Sequence, residues 1–523
     1  MAGFFLIKLS LATSYGDNLM GFLLRSIFPM TNLKMECLIK RRRKRRKKIK
    51  TKAIFFLIIF AYLPVSHGSP LSLEEVLQST RKHFPLIEQA VADLEAARQK
   101  SRAALGNFDA TIEGKGDKRY EGYYDGRSAG IKIVKPLQTL NTKLYAGYRV
   151  SGGEYPDYEG KQDTLDDGET SLGIAVSLWR DSFIDSKRLK LRNAEQKAKM
   201  AEEKLRLSEL KYQSTAMKLY WEWVSAGNVL RVRQDLLQIA VARTDGLEKR
   251  VNRGDLARIY LTENNQYILK RRADVLKAKQ LFEQLSYELS LFYRNKSGEP
   301  QVIKIDRVPK DFGRLTKMDL SVEEKKLLEV MKNSPQVRVL EREIQTYKNE
   351  LEFGENLLKP RVDFNLETTN DRGETNESRS ASSLEEREVR GMVTLSIPIE
   401  RNLGEGNKQA ARAKLRALGQ QLKYLEQYIR VTLDRLVIQL NIANDIVENA
   451  TKEIELASIL EKAEKKRFRQ GASDFFVINI REENTASARI KKVDAYLKYQ
   501  KAYADYLFLM LMLDLERSVN PKV

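Results

Sequence analysis

The chain has 523 residues, a net charge of +21 and one cysteine, Cys37. Residues 1–68 carry +12 of that charge, and the remaining +9 is spread over mixed-sign segments, so there is no basic face for nucleic acid outside the leader. Beyond residue 68 there is one histidine, His83, and no cysteine, which leaves no material for Ser-His or Cys-His catalysis or for the usual zinc sites. No Walker-type phosphate loop occurs either. The chain reads as neither an enzyme nor a cofactor protein.

The basic run Arg41–Lys48 precedes an apolar stretch, Ala53–Leu63, then Pro64 and small residues at Ser66 and Gly68. This is the layout of a secretory signal, too short for a transmembrane helix, so residues 1–68 are read as a leader, with translation able to begin at Met35. Ser72-Leu-Glu-Glu75 then reads as a capping box that opens a helix interrupted at Pro85 and ending near Gly106. His83, beside Phe84-Pro85, reads as structural.

A strand zone follows over about residues 107–180. Four segments alternate within it: Phe108–Ile112, Gly130–Val134, Leu144–Val150 and Ser171–Leu178. Between them, residues 120–170 are long and rich in Gly, Tyr and Asp; they can lengthen strands, add a hairpin or cover a barrel mouth. From Ser186 to about Arg250 the chain is helical, roughly 97 Å at 1.5 Å per residue. Its seam of Leu191, Ala194, Ala198, Ala201, Leu205, Ser208, Tyr212, Thr215 and Leu219 alternates steps of three and four, as in a coiled coil. Gly227 and Gly246 permit bends or local turns in this helix. Residues 256–293 return, so the hairpin covers about 186–294.

The same order then repeats. Ser321-Val-Glu-Glu324 copies the capping box, and Pro335 copies Pro85. Arg361–Thr368 and Glu388–Ile397 alternate in a second strand zone, about 361–398, around a polar loop. A second long hairpin covers about 407–513. Arg250-Val-Asn-Arg-Gly254 and Arg467-Phe-Arg-Gln-Gly471 mark the two hairpin turns. The chain is thus divided into a leader (1–68), a first repeat (69–315) and a second repeat (316–523), mainly α with β.

In that order and in duplicate, Pro85 and Pro335, Leu358–Phe364, the strand exits Leu178–Asp185 and Ile397–Leu403, and the two Arg…Gly turns resemble the TolC family of outer-membrane channel proteins. The resemblance spans residues 69–523. It implies four strands per chain, a homotrimer sharing a 12-stranded β-barrel in outer-membrane lipid, and a periplasmic tunnel of helical hairpins. It also implies a passive conduit for efflux or type I secretion, docked to a periplasmic adaptor and an inner-membrane pump. The docking tips would be Arg253, Gly254, Leu256, Gly471, Ala472 and Ser473. Some family members place an Asp six residues after the tip glycine, where this chain has Tyr260 and Val477. Acids that could form a shifted ring at the tunnel mouth are Glu263, Asp474, Glu482 and Glu483. The alternative reading is a periplasmic coiled-coil adaptor or scaffold. What passes through the conduit, and which pump it serves, cannot be read from the residues.

Overall fold

The computed structural model describes residues 69–511 apart from 157–162, 313, 314, 316, 318–323 and 374–386. The leader, the second capping box and most of the polar loop before Glu388 lie outside the described residues. The described residues form one compact unit.

The unit opens with α1 (Leu73–His83) and α2 (Pro85–Leu105). Ser72 caps α1, its Oγ accepting from the Glu75 N–H at 3.2 Å. Glu75 turns back to the cap through its side chain, one carboxylate oxygen accepting from the Ser72 hydroxyl at 3.3 Å while the other takes Arg307 of a distant segment at 3.1 Å. Pro85 occupies the first turn of α2, where its missing N–H costs nothing.

Six strands follow in two groups. β1 (Thr111–Lys118), β2 (Arg127–Pro136), β3 (Lys143–Gly152) and β4 (Glu169–Ser177) come first. Two long helices, α3 (Ser186–Asn252) and α4 (Ile259–Ser290), and a second helix pair, α5 (Glu324–Asn333) and α6 (Pro335–Leu357), separate them from β5 (Arg361–Asp371) and β6 (Glu388–Ser396). The chain then runs through α7 (Asn402–Arg469) and α8 (Phe475–Leu509). All six strands form one antiparallel sheet in chain order, with β4 paired to β5 across the two halves.

The expected four strands per chain are therefore corrected to six. Each alternating segment in residues 107–180 and after residue 360 meets a strand, although Phe108–Ile112 only touches the start of β1, and the count of four rested on the resemblance alone. The physical reason is an added hairpin. Residues 137–142 turn tightly, with Leu140 and Asn141 both in the left-handed region and the Leu137 N–H bonded to the Thr142 carbonyl at 2.7 Å. This turn tucks under β4, where the Ser177 N–H reaches the Leu140 carbonyl at 3.3 Å.

α3 and α7 are continuous, 67 and 68 residues long, or about 100 Å each. No break or local turn interrupts α3 at Gly227 or Gly246. A Cβ at Gly227 would lie 2.8 Å from both Val308 methyls, so this glycine lets a connecting segment approach the helix closely. The main core sits at this level. Trp223 is fully buried and donates to Ser286 Oγ at 3.0 Å, Phe84 stacks on Phe292 at 4.6 Å, and Leu71, Val76, Tyr220 and Leu289 close around them. The expected seam lies beside this core rather than in it. Leu191 is buried, most of the others are half-buried and Thr215 is exposed.

Candidate functional site

Two regions carry the features that bear on function: the sheet and the hairpin turns.

Strand register puts every second residue on a common face. One face gathers Ile112, Ile131, Ile133, Leu144, Leu172, Ile174, Phe364, Leu366, Val389, Val393 and Leu395 through directly opposed pairs such as Ile112 with Ile133, Leu144 with Ile174 and Phe364 with Val393. The other gathers Glu113, Lys132, Arg149, Glu169, Asn365, Glu367 and Arg390. The apolar face lies open: Ile112 is 70% exposed, Leu172 60% and Val393 66%. On the polar face Tyr145 lies across Gly173, its hydroxyl 3.0 Å from Asn365 Oδ1 and its ring 3.9 Å beneath Lys132 Nζ, while Arg149 pairs with Glu169 at 3.2 Å. A sheet apolar on one side and hydrogen-bonding on the other, with strands of 8–11 residues, matches a membrane wall around an aqueous lumen.

At the end of the sheet away from the helices, the connections knit together. Tyr155 packs on Gly126, the Glu154 N–H donates to Asp125 Oδ1 at 2.8 Å, and the Leu165 N–H donates to Asp371 Oδ1 at 3.0 Å.

The two hairpin turns have the same geometry. Gly254 (φ +80°) and Gly471 (φ +76°) each end a helix in the left-handed conformation. The Asp255 N–H reaches back to the Arg250 carbonyl, and the Ala472 N–H to the Arg467 carbonyl, both at 2.9 Å. This six-to-one closure explains the repeated Arg…Gly spacing. Gly254, Gly471, Ala472, Arg253 and Asp474 are exposed, whereas Leu256 and Ser473 are half-buried. Ser473 hydrogen-bonds Glu464, and Asp474 caps α8 by accepting from the Phe476 N–H at 3.2 Å. The turns are neighbours, since the Arg250 guanidinium stacks on the Phe468 ring at 5.4 Å.

The four expected mouth acids have different surroundings. Glu263 is half-buried on α4 and Asp474 is exposed. Glu483 pairs with Arg233 at 2.9 Å. Glu482 is 1% exposed and sits among cations from three other helices: Arg243 of α3 in direct contact, Arg271 of α4 at 3.1 Å and Lys465 of α7 at 3.5 Å. Asn479 Oδ1 accepts from Arg243 at 3.1 Å and from Arg271 at 3.4 Å, and Arg271 also donates to the Leu236 carbonyl at 3.0 Å. Below them Phe475, fully buried, gathers Tyr260, Tyr267 and Phe468. Sequence reasoning missed Arg243, Arg271 and Asn479. Their only signal is a polar residue on the inner stripe of a long helix, which becomes meaningful once the facing helix supplies its partner.

Among the described residues no helix is long and apolar enough to cross a membrane, and no cluster of His, Cys, Asp and Glu could hold a metal ion. No family model and no curated protein matches the chain. Solved structures do. The chain is similar to the Campylobacter jejuni CmeC outer-membrane channel, at 10% identity over 84% of this chain and 85% of that one, with a TM-score of 0.60. It is similar to the outer-membrane protein VceC from Vibrio cholerae at 12% identity, over 84% and 95% of the two chains, with a TM-score of 0.59. The Neisseria gonorrhoeae MtrE outer-membrane channel aligns at 13% identity over 84% and 88%, with a TM-score of 0.56. The chain has the fold of these outer-membrane channel proteins, and the resemblance read from its residues holds at that level.

Proposed function

We propose that this protein is a TolC-family channel subunit of the outer membrane. Three copies would form a passive conduit from periplasm to exterior in an efflux or type I secretion system. The observation that carries this reading is the two-faced sheet joined directly to helices about 100 Å long. An open sheet edge cannot face lipid, so a membrane sheet of this kind needs further copies to close it. The small, half-buried seam of α3 suits a neighbouring helix from another copy. A periplasmic adaptor or scaffold has no use for a sheet with one exposed apolar face.

In this reading the turns around Arg253, Gly254, Leu256, Gly471, Ala472 and Ser473 point into the periplasm and dock an adaptor, which links the channel to an inner-membrane pump. Glu263, Asp474, Glu482 and Glu483 set the field at the tunnel mouth. Glu482 would have to leave its guanidiniums to face the passage, so the three more accessible acids act first. Cell fractionation tests the whole reading. The mature chain is expected in the outer membrane as a trimer, and recovery as a soluble periplasmic monomer would overturn it. A photo-crosslinker at Ala472 is expected to capture an adaptor with a helical hairpin of its own.

A further inference from the structure

We infer that the shared barrel of this protein has eighteen strands, closed by β6 of one copy pairing with β1 of the next. The inference rests on the three-copy channel reading above and adds a strand count and an interface to it.

The argument begins with the sheet order. β1 is joined to α2 and β4 to α3, so both are tied to the helical part of the unit. The added hairpin, β2 and β3, lies between them, and β1 reaches β4 only through it. Setting the hairpin aside to leave four strands per chain would strip β1 and β4 of their partners on that side. Every one of the six strands must therefore stand in the wall. Two edges remain. β1 and β6 pair on one side only among the described strands, and every residue in both is exposed. Five antiparallel pairings separate them, so they run in opposite directions. Edge-to-edge contact between copies is then antiparallel, as in the rest of the sheet, and the head-to-tail contact closes into a ring. Lengths match, at eight and nine residues. Faces match as well: Ile112 on β1 meets the apolar face of β6 when it lies opposite Val389, Gly391, Val393 or Leu395. A slip of one residue would place it among the polar residues of the lumen face. Eighteen is an even number within the range of outer-membrane barrels. Because diameter grows roughly linearly with strand number, such a barrel is about half again as wide as one of twelve strands.

Disulfide mapping tests this, since the only cysteine of the chain, Cys37, lies in the leader. The full-length protein would carry Ile112→Cys together with Cys at Val389, Gly391, Val393 or Leu395 in turn, and would be oxidised in outer-membrane fractions. At least one of the four pairs is expected to give covalent two- and three-chain bands on non-reducing gels. Ile112→Cys with Thr394→Cys, on opposite faces, is expected to stay at one-chain mass. Leu144→Cys with Val393→Cys reports a narrower wall in which β6 meets β3 of the next copy. Multichain bands from that pair, or none from all four Ile112 pairs while the protein is still recovered as an outer-membrane trimer, would overturn the eighteen-strand wall and leave the channel reading standing. Recovery outside the outer membrane would overturn both.

Discussion

Glu482 is the residue where a small change has the largest expected effect. A buried carboxylate among three cations is tolerable only because each charge has its partner. Glu482→Gln removes the negative charge and leaves Arg271, itself almost fully buried, facing like charges. Breaking such a pair costs about 3–5 kcal/mol, whereas the half-buried pair of Glu483 with Arg233 lies nearer the surface pairs, which are worth about 0–1 kcal/mol and less again in salt. Glu482→Gln is therefore expected to lower the denaturation midpoint sharply and Glu483→Gln barely at all, by urea titration followed by circular dichroism. Tyr220 sets a second expectation. Its hydroxyl donates to the Leu71 carbonyl at 2.8 Å, and burial, with the Glu75 charge behind it, pushes its ionisation well above the ordinary value near 10. The native state keeps a proton that the unfolded state releases above about pH 10, so stability is flat below that pH and falls above it. Burial shifts Tyr496, Tyr503 and Tyr506 in the same direction. Tyr220→Phe is expected to make the loss between pH 9 and pH 11 shallower, read from denaturation midpoints at the two values.

Among the elements, those written by local rules were legible. Ser72 and Pro85 start α1 and α2, the alternating segments became strands, and Arg250…Gly254 and Arg467…Gly471 became turns because a left-handed closure needs glycine. What was not legible depends on partners distant in sequence. The stripe through Leu210, Met217, Tyr220 and Trp223 won the core over the small-residue seam because α1, α4 and α8 press on that side. Glu482 could not be told from a solvated acid without Arg243, 239 residues away. The turns give the prediction that belongs at this scale. A Cβ at Gly254 or Gly471 would meet no atom within 4 Å, so only backbone strain opposes alanine there, about 1–2 kcal/mol. Because the strain is confined to the turn, Gly254→Ala and Gly471→Ala are expected to assemble normally and to lose adaptor binding, measured by pull-down. Loss of assembly instead would show that the turns hold the helices in register.

For the molecule as a whole, the sheet must satisfy two solvents at once, and this gives the most general test. Leu172 and Val393 sit on the exposed apolar face, Asn365 and Thr394 on the other; Val393 and Thr394 are neighbours on β6, while Leu172 is on β4 and Asn365 on the adjacent β5. Arginine at a lipid-facing site near mid-bilayer costs about 2–4 kcal/mol, while one in a lumen meets water. If the apolar face meets lipid, Leu172→Arg and Val393→Arg should fail to accumulate in the outer membrane, and Thr394→Arg should accumulate and alter the conductance of the channel. Asn365→Arg is a harsher control, since it also removes the partner of Tyr145. Equal accumulation of all four variants would mean that neither face is in lipid, and the adaptor or scaffold reading would replace the channel. The contrast between Val393 and Thr394 isolates membrane insertion from folding, because these two positions differ in the side of the sheet and not in the strand that carries them.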